Sequence, residues 1–337
     1  MYTFYFDQGT TNSRGYLLED GKIIATQKAV PSLGSKDVSE TGDYDLLPRG
    51  LYKLYCDILD SKGVKDEEIV EIYASGMITS PYGLCEVPHL PTPFGPKEMA
   101  ENIHTHFEDK YFHRNIHLIL GAKTARGHVS LEEIPTVNNI RGEEVESMGI
   151  FDLLPEEWKP HKTIVLFPGS HTHALLLEDG RLIDMLSNFS GEVFHAITTS
   201  TILAGSTRIT DEEAALPPDM DAVEMGLNSL INFGFARATY TVHATKIFDA
   251  CSNKVRRDML SAIINGTVLQ SLDLNIKNKW QDVKNLVIYG DATATAVCEA
   301  AAKHFTPYLN IKTMDNSKQE VPCSVLGMQK IIKYFNK

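Results

Sequence analysis

Apolar and polar positions along the chain follow one short programme twice. The stretch from Phe4 to Ile24 reads FYFDQGTTNSRGYLLEDGKII, and the stretch from Val165 to Ile183 reads VLFPGSHTHALLLEDGRLI. Each copy gives an apolar strand, a Gly-hydroxyl turn, a second apolar strand, the turn LEDG and a third strand opening on a basic residue. That order predicts a three-stranded β-meander with turn chemistry at both bends. Gly9 answers Gly169 and Gly21 answers Gly180. A match of the whole unit, with both turns in step, points to an internal duplication.

The remaining pattern alternates helices with strands. Leu47, Leu51, Leu54, Tyr55 and Ile58 fall at helical spacing and predict a helix over about Tyr44–Ser61. Strand IVEIYASG follows, then a proline-rich loop from Pro81 to Pro96, a helix from about Pro96 to Glu108, strand IHLILG and a helix around Glu143. After the second meander, a helix opens at Gly191 and a mostly helical region runs to about Ile276. Strand NLVIYG, helix TATAVCEAAAKHF, a short strand near Ile311 and a C-terminal helix close the chain. Pro155 and Pro160 in LLPEEWKPHK mark the expected boundary, giving domains 1–157 and 158–337. The last helix is expected to pack back on the first domain.

The first turn has the makings of a phosphate site. Its glycine permits a tight bend and close approach, so the N–H groups and hydroxyls of Gly9, Thr10, Thr11 and Asn12 can converge on an anion. Asp7, just before the bend, is placed to hold Mg²⁺, directly or through water. The second turn offers Gly169, Ser170, His171 and Thr172, but Phe167 and Pro168 stand where the first has its carboxylate. Facing each other across a cleft, the two turns would grip a polyphosphate from both sides.

Further candidates lie outside the turns. Glu143 and Glu144 open a helix, where the dipole alone would favour them; one of them could instead take the proton of an attacking hydroxyl. The residues do not decide between the two. Arg141 beside them could pair with a substrate carboxylate or a transferring phosphoryl group. Ser190, Gly191 and Glu192 read as a helix cap, a small residue and a first-turn acid. Glu86 lies in a loop bounded by prolines. Gly290 and Asp291, between strand and helix, fit an adenosine pocket in which the glycine admits the purine or ribose.

Taken in order, these segments resemble the 2-dehydro-3-deoxygalactonokinase family of the actin-like ATPase superfamily over nearly the whole chain. The resemblance is carried by DQGTTNSRGYLL, GMITSPYGLCEVPHLPTPFG, IRGEEVESMG, LFPGSHTH, SGEVFHAITTSTILAG and FARA. It implies an α/β fold of two duplicated ribonuclease-H-like domains with a nucleotide cleft between them. It implies ATP and Mg²⁺ as cofactors and phosphorylation of 2-dehydro-3-deoxygalactonate to its 6-phosphate, or of a related sugar. Glu86, Glu192 and the segment containing Ser80 then become candidates for substrate contact. The chain departs from the family after Ser80, where Pro81, Tyr82, Gly83 and Leu84 replace an Arg-containing stretch. It departs again at His173 and Ala174, which replace Lys and Trp, and at Gln8, where Trp is usual. An exopolyphosphatase-like phosphoanhydride hydrolase and a sugar sensor without catalysis stay open as alternatives.

Composition narrows the partners. A formal net charge of −12 argues against nucleic acid or an anionic membrane as main partner; a small sugar or sugar acid is the partner that the resemblance implies. Five scattered cysteines without Cys-x-x-Cys spacing suggest buried thiols in a reducing cytoplasm and no structural zinc. No basic segment followed by an apolar run opens the chain, so no secretory leader is expected. A homodimer is left open.

Overall fold

Both LEDG segments fold as hairpin turns in which two successive residues take the left-handed conformation, with φ of 47° and 80° at Asp20 and Gly21 and 50° and 71° at Asp179 and Gly180. This is the type I′ arrangement, whose twist suits the flanking strands. The computed structural model describes residues 1–30 and 33–335. The chain forms two compact units. One comprises Met1–Leu154, Gly180–Asp184 and Glu320–Lys337, the other Pro155–Asp179 and Met185–Gln319.

In the first unit, β1 (Tyr2–Gln8), β2 (Ser13–Glu19) and β3 (Lys22–Lys28) make the meander. Helix α1 (Leu46–Lys62) follows and ends at Gly63 in a left-handed cap, leading to β4 (Ile69–Gly76). Strands β5 (His104–Glu108) and β6 (Arg114–Leu118) complete a six-stranded sheet of order β3-β2-β1-β4-β6-β5. β4 runs parallel to both β1 and β6, and β5 pairs antiparallel with β6 at the sheet edge. Leu47, Leu51, Leu54, Tyr55 and Ile58 of α1 bury against Phe4, Phe6 and Ile72 of the sheet, as their helical spacing predicts. Helix α2 (Glu143–Asp152) comes next.

One element differs from its expected form. The segment 96–108 is a short helix, Pro96–Glu101, followed by strand β5. Met99, Ile103 and Phe107 recur at helical spacing, but tertiary pairing overrides that period. The buried carboxylate of Glu108 accepts from the backbone N–H groups of Lys110, Tyr111 and Phe112, at 3.1, 2.8 and 2.7 Å, and so shapes the hairpin that lays β5 on β6.

The second unit repeats the plan. Strands β7 (Thr163–Phe167), β8 (His171–Glu178) and β9 (Arg181–Phe189, of which Met185–Phe189 belong to this unit) form the meander, followed by helices α3 (Gly191–Ser200), α4 (Met220–Ile247, broken at Gly234) and α5 (Asn253–Asn278). Strand β10 (Asn285–Gly290), helix α6 (Ala292–Phe305) and strand β11 (Asn310–Asp315) complete it. The sheet order is β9-β8-β7-β10-β11, with β10 parallel to both β7 and β11. All residues of β7 and β10 are buried, as befits the central strands of a sheet. Each sheet is thus a meander extended from its first strand by two parallel strands, with the antiparallel β5 added at the edge of the first, which is the duplicated ribonuclease-H-like plan.

Helix α7 (Cys323–Phe335) packs within the first unit against α2. The two backbones nearly touch. A Cβ added at Gly327 would fall 1.8 Å from the Val145 carbonyl oxygen, and one at Gly149 would fall 2.2 Å from that of Cys323. Only glycine fits either position.

Candidate functional site

The two turns singled out by the sequence are braced in the same way. In the first, Gly9 N–H donates to Asn12 O at 2.7 Å, and Lys36 N–H donates to Thr10 O at 2.9 Å. A Cβ at Gly34 would sit 2.2 Å from that same Thr10 oxygen. In the second, Glu192 N–H donates to Ser170 O at 2.9 Å, and a Cβ at Gly191 would sit 2.5 Å from Gly169 O. Each turn is therefore clamped from below by a glycine at a following helix start. Gly9, Thr10, Thr11 and Asn12 remain exposed, as do Gly169, Ser170 and His171; the Gly9 N–H is spent on the turn itself, and the donors of the others face solvent.

Thr172 is different. It is buried, and its hydroxyl is paired with that of Ser190 at 2.7 Å. The expected phosphate donor is a strut under the turn. His171 is the exposed first residue of β8 and packs edge-on against Phe189, while His173 is buried beside Ser187 Oγ at 2.9 Å and pushed down to about 4 by burial.

The first unit gathers four carboxylates near the first turn. Asp7, at the end of β1, pairs in register with Arg14 and accepts from Ser324 Oγ of α7 at 3.1 Å. Burial raises its carboxyl above the ordinary range, and Arg14 and Ser324 oppose that rise. Glu143 is half-buried, and burial together with the charge of Asp7 pushes it up to about 7. Glu146, three residues on and so on the same helix face, is raised further by burial, Asp7 and the neighbouring glutamates. Sequence reasoning missed Glu146, although the spacing within EEVE carried the signal. It also missed Ser324, for which nothing local could serve.

Glu144 is separated from its neighbour by geometry. It is fully buried, and both its oxygens accept from Gly142 N–H, at 2.9 and 2.8 Å. Burial and the charge of Glu143 push it up to about 8. It ties off the start of α2 and presents no free oxygen edge, which leaves Glu143 as the accessible member of the pair.

Arg141 is anchored by Thr79 Oγ1 at 2.6 Å and the Val87 carbonyl at 3.1 Å. It thereby staples the loop carrying the exposed Glu86, whose charge it feels along with that of Glu144. Ser80 is buried, with its hydroxyl accepting from Tyr82 N–H at 3.3 Å. Both are therefore scaffolding for the loop before they are contacts for a substrate.

In the second unit a cavity of about 550 Å³ joins residues from four elements. Gly169 and Gly191 border it on the turn side, Asp291 and Thr293 at the start of α6, and Ser261 and Asn265 on α5. Asp291 caps α6, accepting from Ala294 N–H at 2.9 Å. Its size suits an organic ligand, and the sequence had marked Gly169 and Asp291 but not Ser261, Asn265 or Phe194. Gly290 is buried and is not among the lining residues; a Cβ there would meet the Pro168 ring at 3.6 Å and Thr295 Cγ2 at 3.8 Å. The expected access of a purine to its backbone is replaced by packing on Pro168. Glu192 is exposed at the first turn of α3.

Carboxylates whose pKa values are raised by burial and, at Glu143 and Glu146, by neighbouring negative charge are what a divalent cation relieves. Asp7, Glu143 and Glu146 fit Mg²⁺ on that ground.

The family model of 2-keto-3-deoxy-galactonokinase matches residues 7–319 of the chain. No curated protein matches it. Among solved structures, a protein assigned as a 2-dehydro-3-deoxygalactonokinase from Sinorhizobium meliloti is similar at TM-score 0.72 and 18% identity, covering 99% of this chain and 98% of that one. The (R)-2-hydroxyglutaryl-CoA dehydratase component A of Acidaminococcus fermentans is similar at TM-score 0.53 and 14% identity, covering 100% of both chains. The activator of the 2-hydroxyisocaproyl-CoA dehydratase from Clostridium difficile, solved with bound ADPNP, follows at TM-score 0.51 and 16% identity, covering 100% and 95%. These likenesses show a fold shared with those proteins.

Proposed function

The chain belongs to the 2-keto-3-deoxy-galactonokinase family, a family of carbohydrate kinases that phosphorylate a sugar acid with ATP, and on that premise we propose how its residues divide the work. The acceptor is the primary hydroxyl of a 2-oxo-3-deoxy sugar acid, the product its 6-phosphate. Glu143 takes the proton of that hydroxyl. A base serves best with a pKa near the working pH, and burial beside Asp7 brings Glu143 to about 7. Asp7 would hold Mg²⁺, with Glu146 alongside, and the cation would neutralise phosphate charge during transfer.

The backbone N–H groups and hydroxyls of Thr10 and Thr11 take phosphate oxygens, with Gly9 shaping the turn that presents them, and Gly169 and Ser170 do the same at the second turn. The cavity bordered by Gly169, Ser261, Asn265 and Asp291 takes the nucleoside. Arg141, itself pinned to Thr79 and Val87, holds Glu86 where sugar hydroxyls can reach it. The observation that carries this reading is the half-buried Glu143 next to Asp7, a base and a metal carboxylate at one turn.

A coupled ADP-release assay tests it across 2-dehydro-3-deoxygalactonate, other 2-oxo-3-deoxy acids, aldonic acids and neutral sugars. ADP should form only when an acid acceptor is present. Equal ADP release without any sugar would instead identify a phosphoanhydride hydrolase.

A further inference from the structure

The edge strand that replaces the expected helix creates a second cluster of donors in the first unit. On β5, His104 and His106 are two residues apart and so project from the same face of the strand. Cys85, from the loop after β4, meets them there. Its Sγ lies 3.9 Å from His104 Nε2, and one donor atom from each of the three residues falls within 4.8 Å of the others. None of the three takes part in the carboxylate cluster or the nucleoside cavity.

The spacing can be compared with a real coordination sphere. Tetrahedral zinc sits about 2.3 Å from sulfur and 2.0–2.1 Å from imidazole nitrogen, which places neighbouring donors about 3.3–3.6 Å apart. The Cys85–His104 separation exceeds that by only a few tenths of an ångström, and rotation of the histidine rings closes the remainder. The donor set is also selective. One thiolate and two imidazoles suit a borderline or soft cation, whereas Mg²⁺ and Ca²⁺ take oxygen ligands.

We propose that Cys85, His104 and His106 form a binding site for a zinc-class cation, with its fourth position open to water or a small exogenous ligand. The cation clips the loop containing Cys85 and Glu86 to the sheet edge. Burial and His104 lower the pKa of the half-buried His106, which favours the neutral form that ligates. The thiol is raised by burial, so binding must displace its proton, and uptake is accompanied by proton release.

The site is tested on the full chain, stripped with chelator and titrated anaerobically with Co²⁺. One equivalent should produce the near-ultraviolet charge-transfer band of a cobalt–thiolate bond and visible bands of tetrahedral intensity. Added Zn²⁺ should bleach both, and Mg²⁺ should leave them. Cys85→Ser should abolish the thiolate band, whereas Cys251→Ser, at another partly exposed thiol, should keep it. His104 is exposed, so His104→Ala should fold normally by circular dichroism and bind Co²⁺ at least about 10-fold more weakly, the minimum expected even for an outer-shell loss. A wild-type chain without the band, a band that survives Cys85→Ser, or unchanged affinity in His104→Ala would overturn the site. The readout needs no turnover, so it stands or falls apart from the kinase assignment.

Discussion

At the scale of single residues, Asp7 and Glu143 can be told apart by the sign of their effects. Asp7→Asn is nearly isosteric and keeps an oxygen to accept from Ser324, but it removes a charge that raises Glu143 and Glu146. The variant should therefore be as stable as the parent or more so by thermal melt, while its apparent Mg²⁺ affinity weakens by about 10–100-fold. An unaltered Mg²⁺ dependence would remove Asp7 from the metal site. Glu143→Gln should lower kcat by about 10²–10⁴, the usual contribution of a general base, with little change in KM for ATP. Glu144→Gln should leave kcat within a few-fold, because one amide oxygen still accepts from Gly142 N–H and only part of the helix tie is lost. Steady-state kinetics on the two variants decide it; equal losses would mean that the buried tie, and not proton transfer, controls the rate. The sequence offered these glutamates as an unresolved pair. What separates them is the turn of a side chain onto its own backbone, which no residue pattern encodes.

At the scale of elements, the shared bracing of the two turns makes a mechanical prediction. Gly191→Ala forces a Cβ to within 2.5 Å of the Gly169 carbonyl, a backbone contact that can be relieved only by moving the turn. Overpacking of this kind costs about 1–3 kcal/mol, and because the displaced residues border the nucleoside cavity, KM for ATP should rise more than kcat falls. A melt and a pair of Michaelis curves suffice, and a change in stability with no change in KM would separate the turn from nucleotide binding. The turns, both LEDG hairpins and α1 were legible because local chemistry fixes them: positive φ for Asp-Gly, a Gly-hydroxyl bend, helical spacing on one face. Strand β5 was not legible. Its residues carry a helical period, and its real form depends on Glu108 gathering three N–H groups and on the neighbouring strand. That misreading also hid His104 and His106, which share a face only on a strand. The role of Thr172 was lost for a related reason, since its partner Ser190 lies across the meander.

At the scale of the whole molecule, duplication was readable from two short segments, because a repeat kept in register over two turns is hard to obtain by chance. The closing of α7 onto α2 depends on Gly149 and Gly327 meeting across 178 positions of sequence, and local reasoning has no access to it. Yet that packing sets Ser324 against Asp7 and buries the first turn of α2, so the global fold determines the acidity of the site. The consequence is a pH dependence of stability with a definite sign. Glu143 and Glu144 are raised to about 7 and about 8, against about 4.3 in an unfolded chain. Between those limits the folded state binds more protons than the unfolded state, so stability falls as pH rises through that window. Their contribution is fully present below about pH 4 and lost above about pH 8. For the fully buried Glu144 the slope is at most about 1.4 kcal/mol per pH unit. Glu144→Gln should flatten the melting-temperature profile between pH 5 and 8, with or without Mg²⁺. In the parent, saturating Mg²⁺ should flatten only the share due to Asp7, Glu143 and Glu146, because a cation holds those groups ionised while Glu144 remains tied to Gly142. Calorimetry across that range reads both effects. Profiles that coincide with and without Mg²⁺ would show that the carboxylates do not face a common cation, and the base would then act in a site whose charge is balanced by protons alone.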